Sequence, residues 1–130
     1  MTFNTTPCLS LLDMKVVLYG IKNCDTVKKA RYWLEAHKIE YTFHDFRADG
    51  LNEDVLKDFL NHVDWEILLN KRGTTWRKLP NKQKNEIDSQ KALELMNENL
   101  MLIKRPVLAH GKNFFVGFAD IDYEKIFISN

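Results

Sequence analysis

Three features of the chain predict an α/β fold around a mixed four-stranded sheet. An apolar run ends in a polar turn and passes directly into a helical repeat, and a second β-rich run follows that helix. Near the C-terminus two short β-rich runs flank a turn and lead into a last helical stretch.

The elements follow in order. Lys15-Val16-Val17-Leu18-Tyr19 reads as the first strand. From Asp25 to His37 the residues Val27, Ala30, Trp33, Leu34 and His37 share one face while Lys28, Lys29 and Glu35 lie elsewhere, which predicts an amphipathic helix. Tyr41-Thr42-Phe43-His44-Asp45-Phe46 alternates aromatic and polar residues as a second strand does. Asn52 stands where an N-cap belongs, ahead of Val55, Leu56, Phe59, Leu60 and Val63 at helical spacing, and Asp64 opens a shorter helix through Leu69. Pro80 interrupts the chain, after which Asn85 or Asp88 starts a helix carrying Ala92, Leu93, Leu95 and Met96. Pro106 to Ala109 and Phe114 to Phe118 are β-rich runs around His110-Gly111-Lys112-Asn113, a hairpin signal, and Asp120 is the expected N-cap of a closing helix. The order β-α-β, helices, β-β-α is the thioredoxin-like arrangement, whose reactive rim lies where the first strand ends and the first helix begins.

A chain of 130 residues fits one domain with its own core. Residues 14–130 are expected to form it, with residues 1–13 a dispensable extension that carries Cys8. The extension has no basic n-region and makes a poor signal peptide. No apolar run approaches the roughly 20 residues of a membrane span, so a soluble chain that does not engage a membrane is expected. With 19 basic against 18 acidic residues there is no broad electrostatic case for nucleic acid either. Two cysteines cannot build a secreted disulfide framework, and their spacing fits no zinc motif. The four histidines, His37, His44, His62 and His110, show no metal-ligand spacing. A cytoplasmic monomer with no bound cofactor or metal is the expectation.

Cys24 is where chemistry is expected. It follows the first strand through a polar turn and opens the first helix, so unpaired backbone N–H groups and the positive end of the helix dipole favour its thiolate. The thiolate is the nucleophilic form. The competing reading, a small apolar residue packed under the strand, suits the polar neighbours Gly20, Lys22, Asn23 and Asp25 less well. Asp25 favours the helix start yet opposes a neighbouring thiolate. A dithiol reductase of the Cys-x-x-Cys type would carry its resolving thiol at residue 27, where this chain has Val27. Any resolving thiol must come from elsewhere, and glutathione is the simplest supplier.

Four blocks in order carry a family resemblance: 20–31 (GIKNCDTVKKAR), 43–51 (FHDFRADGL), 68–79 (LLNKRGTTWRKL) and 101–107 (MLIKRPV). From Met14 onward the chain closely resembles the arsenate-reductase-like family of ArsC, Spx and YffB proteins, the YffB branch most of all. The resemblance implies a thioredoxin-like fold with a helical insertion, one nucleophilic cysteine and glutathione as thiol partner.

It also implies roles for other residues. Arg72 and Arg105 match family arginines that face the cysteine, and a guanidinium can grip a carboxylate or oxyanion with two hydrogen bonds. By themselves the two would read as a solvated cation before Gly73 and a strand-edge charge. Thr26 matches a family hydroxyl that could donate to the thiolate, or it could simply cap the first turn. Pro106 matches the proline that is cis in thioredoxin-like proteins and holds the loop beside the nucleophile; an ordinary trans proline opening an edge strand is the alternative. Arsenate reductases carry a third arginine after the last strand, where this chain has Phe118, and a histidine-containing loop before the cysteine, where it has Gly20-Ile21-Lys22-Asn23. Lys22, Lys28 or Lys29 could compensate only as point charges, with poorer geometry. A glutathione-dependent monothiol oxidoreductase is therefore the first expectation, ahead of an arsenate reductase. An Spx-like regulator that binds RNA polymerase is the third, weakened because Val27 removes the usual Cys-x-x-Cys sensor.

Overall fold

Alternation builds the first strand. In the computed structural model, which describes residues 15–128, β1 spans Val16–Gly20 with Val16, Leu18 and Gly20 turned into the core and Val17 and Tyr19 half-buried on the other face. The extension with Cys8 lies outside the described residues. The chain forms two compact units, residues 15–45 with 105–128, and residues 46–104.

In the first unit, α1 (Asp25–Ala36) buries Val27, Ala30, Trp33 and Leu34, the stripe its spacing predicts. β2 (Thr42–Asp45) lies parallel to β1, β3 (Val107–His110) antiparallel to β1, and β4 (Asn113–Val116) antiparallel to β3. The sheet order is β2-β1-β3-β4, the mixed four-stranded thioredoxin-like sheet. The closing helix α8 (Asp120–Phe127) adds Tyr123 to a core of Val16, Leu18, Val27, Ala30, Trp33, Leu34 and Leu108. Each fully buried side chain of this size contributes about 1.5–3 kcal/mol. Trp33, Phe118 and Phe127 surround the Tyr123 ring, the first two edge-on at centroid distances of 5.5 and 4.7 Å.

The second unit is the helical middle. It holds α2 (Phe46–Asp49), α3 (Glu53–His62), α4 (Trp65–Leu68), α5 (Thr74–Arg77), α6 (Asn81–Lys84), α7 (Ser89–Glu98) and a 3₁₀ turn at Leu100–Leu102. Asn52, Asp64 and Asp88 cap α3, α4 and α7 as expected, each side-chain oxygen accepting a first-turn amide at 2.8–3.1 Å. Phe46, Leu56, Phe59, Val63, Leu68, Leu69, Ala92, Leu95, Met96, Leu102 and Ile103 are its buried hydrophobic residues.

Several boundaries differ from expectation. β2 ends at Asp45, because Phe46 turns into a helix that Gly50, with φ of 68°, terminates. β3 begins at Val107 and not at Pro106, which has no N–H to give a ladder. β4 stops at Val116, where Gly117 takes a φ of 87° and leaves the sheet. Asp120 is the first helical residue of α8 and Ala119 its cap. The single-turn helices α2, α5 and α6 were not anticipated, since four residues carry no periodicity to read.

Candidate functional site

Cys24 is the N-cap of α1. Its extended backbone (φ −146°, ψ 121°) lets its carbonyl accept the Lys28 amide at 2.9 Å while no side chain caps the helix. The first-turn N–H groups thus lack a side-chain acceptor beside a half-exposed sulfur. Thr26 is the second helical residue, partly exposed, so it is not the cap; its hydroxyl stands in the first turn.

Strand register assembles the rest of this rim. β1 and β3 pair Tyr19 with Val107, so Arg105 and Pro106, which immediately precede β3, lie by the end of β1. The loop from Ile21 to Asn23, which carries the exposed Lys22, leaves the sheet at that same end. The Arg105–Pro106 peptide is cis, and the Pro106 carbonyl accepts the Gly117 amide at 2.8 Å, joining the start of β3 to the end of β4. Arg105 is half-buried. Cys24, Lys22, Thr26, Arg105 and Pro106 accordingly belong to one end of one sheet.

Arg72 belongs to the second unit. It is exposed, its amide donates to Asn70 Oδ1 at 3.1 Å, and its carbonyl accepts Arg77 Nη2 at 3.1 Å. With Asn70, Lys71 and Lys104 it lines a hollow of about 270 Å³ in which Glu66 is the one carboxylate. Lys71 and Lys104 were not singled out in the sequence. Lys71 Nζ stands 5.5 Å from the Trp65 ring and 5.9 Å from the Trp76 ring, so those tryptophans hold a cation beside Arg72. Lysines adjoining a candidate arginine were the only available signal.

Gly20 is a positioning residue that sequence reasoning passed over. A Cβ there would stand 2.7 Å from Val27 Cγ2, so only glycine lets α1 dock this closely on the end of β1. Val27 is fully buried, at the place a resolving cysteine would occupy. Burial raises the Tyr123 hydroxyl far above the ordinary tyrosine range and lowers His110 below its usual value. Among the described residues no group of three or more His, Cys, Asp or Glu could hold a metal ion, and no helix is long and apolar enough to cross a membrane.

A family profile, that of the ArsC family, matches residues 19–126. The chain belongs to the ArsC family. It is similar to a solved structure described as the YffB protein, at 48% identity, covering 84% of this chain and 96% of the other with a TM-score of 0.81. A solution structure of an arsenate reductase (ArsC) related protein from Brucella melitensis is 50% identical over 88% of this chain and 96% of its own, with a TM-score of 0.72. The global transcriptional regulator Spx of Enterococcus faecalis is 32% identical over 105 residues, 79% of each chain. The ArsC family chain described here is thus arsenate-reductase-like and Spx-like, on a thioredoxin-like fold with YffB among its relatives.

Proposed function

We propose that this ArsC family protein is a glutathione-dependent monothiol oxidoreductase acting through Cys24. The observation that carries the reading is the pair Cys24 and Val27: a cysteine capping a helix whose side-chain cap is missing, and a buried valine where the second thiol of a dithiol enzyme would be. Cys24 thiolate attacks the glutathione sulfur of a mixed disulfide R–S–S–G. A Cys24–S–S–G bond forms and R–S⁻ leaves, to be protonated by solvent. A second glutathione, as thiolate, attacks the glutathione sulfur of Cys24–S–S–G; oxidised glutathione departs and Cys24 thiolate returns. The net reaction turns R–S–S–G and one added glutathione into R–SH and oxidised glutathione, the R sulfur being reduced and the added glutathione sulfur oxidised, and the protein needs one thiol. Arg105, with Arg72 as a further candidate, is proposed to hold a glutathione carboxylate, with Lys22 as an additional point charge for an anionic substrate and Thr26 to donate a hydrogen bond to the Cys24 sulfur. Such exchange suits a reducing cytoplasm and requires no bound cofactor.

Arsenate reduction ranks lower because Phe118 offers an oxyanion no donor. The identity to Spx favours a second reading, a regulator that contacts RNA polymerase, for which binding to purified polymerase is the direct assay. The deciding experiment incubates the protein with glutathionylated peptide and glutathione, then weighs it. A single 305-dalton adduct on Cys24, about the mass of one glutathionyl group by its covalent composition, and loss of turnover in Cys24→Ser are expected. Turnover that survives Cys24→Ser overturns the reading.

A further inference from the structure

Helix α1 presents two adjacent rows at i, i+4 spacing. One runs Cys24, Lys28, Tyr32, Ala36 and the other Asp25, Lys29, Trp33, His37. Residues four apart on a helix lie one above another on a single face. From Lys28 and Lys29 down to Ala36 and His37, these rows form one wall of a groove of about 690 Å³ within the first unit. The opposite wall is the entry to α8, Phe118 to Asp120. The groove therefore starts one helical turn beyond the nucleophile and continues about 12 Å along the axis, the length of roughly four extended residues.

Its lining is amphipathic. Trp33 is buried, Phe118 is half-buried, and Tyr32 is 75% exposed, an unusual cost for a ring of that size. His37 stacks on Trp33 at a centroid distance of 3.9 Å, and its Nδ1 donates to the Trp33 carbonyl at 2.9 Å. Two lysines stand at the Cys24 end, and Asp120 is the one carboxylate among the lining residues. Neither Lys28 nor Lys29 has an ion pair among the described residues. Cations nearest the sulfur and aromatic surface behind them complement a chain with acidic residues next to its reactive sulfur and an apolar side chain a few residues away.

We propose that this groove is the substrate-docking surface for an acidic protein segment with an apolar anchor, which delivers its mixed disulfide to Cys24. The inference rests on the thiol-exchange reading and names its substrate class. Free glutathione has no apolar side chain for Tyr32, Trp33 and Phe118.

The test separates docking from chemistry. A fluorescein-labelled, cysteine-free peptide containing aspartates and one phenylalanine is titrated with the full-length Cys24→Ser protein, alongside a twin with lysines in place of the aspartates. The acidic peptide should bind and the lysine twin should not. The Lys28→Glu/Lys29→Glu double variant should weaken the acidic peptide by about tenfold and gain the lysine twin, the size expected when two exposed charge contacts are reversed. Tyr32→Ala should weaken the acidic peptide without admitting the lysine twin. Equal binding of both peptides, indifference to these substitutions, or displacement of the peptide by millimolar glutathione would overturn the proposal. In the chemical arm, wild-type protein should reduce a glutathionylated acidic peptide faster than its lysine twin. If it reduces neither while the binding results stand, thiol exchange fails and the docking surface remains.

Discussion

Gly20 and Val27 meet so closely that a single added carbon on the glycine would stand 2.7 Å from a valine methyl. This contact seats α1, which Cys24 caps, on the end of β1. Val27 is β-branched and fully buried, so it cannot swing aside. Gly20→Ala should destabilise the protein by about 1–3 kcal/mol through overpacking, read as a lower urea midpoint. Adding Val27→Ala should recover part of the loss. A Gly20→Ala protein as stable as wild type would show that the helix shifts freely.

Tyr123 carries a buried hydroxyl with no hydrogen-bond partner among the described residues. A buried polar group without a partner costs about 1–3 kcal/mol, and the ring alone makes the contacts with Trp33, Phe118 and Phe127. Tyr123→Phe should therefore leave stability unchanged or raise it by about 1 kcal/mol. Chemical denaturation measures this directly, and a clear loss of stability would mean that the hydroxyl has a partner in solution.

His110 ends β3 beside the Phe127 ring, at a centroid distance of 4.9 Å, and burial lowers its pKa below the usual 6.5. The unfolded chain thus takes up the proton first as pH falls. The contribution of neutral His110 is complete above about pH 6.5 and is lost as the pH drops through and below it. Urea midpoints should fall between pH 7.5 and 5.5, and His110→Gln should make that fall shallower. An identical slope in the variant would remove His110 from the account.

Arg105 tests the glutathione reading. Losing one charge-assisted hydrogen bond to a carboxylate costs about 1.5–3 kcal/mol, so Arg105→Ala should weaken glutathione binding roughly ten- to hundredfold. Arg72→Ala provides the parallel measurement for the second unit. Deleting residues 1–13 with Cys8 should leave thiol exchange intact. If exchange then stalls at the mixed disulfide, Cys8 is the resolving thiol and glutathione's second role falls.

Local pattern settled most of the fold. Alternation in Val16–Gly20, the helical stripe through Val27, Ala30, Trp33 and Leu34, and caps such as Asn52 and Asp88 are properties of neighbouring residues, so the chain alone determined β1, α1, α3, α7 and the mixed sheet they imply. It also determined that Cys24 opens a helix and that no thiol stands at residue 27. Tertiary structure decided what depends on pairing across distance. The antiparallel register of β1 with β3 carries Arg105 and Pro106 to the end of the sheet where Cys24 lies, and no local spacing connects residues so far apart. Close approach made Gly20 obligatory, and the docking of α8 against α1 turned two ordinary lysines and an exposed tyrosine into the wall of a groove. Periodicity reports which face of an element is buried; only packing reports what that face, or the one left outside, meets.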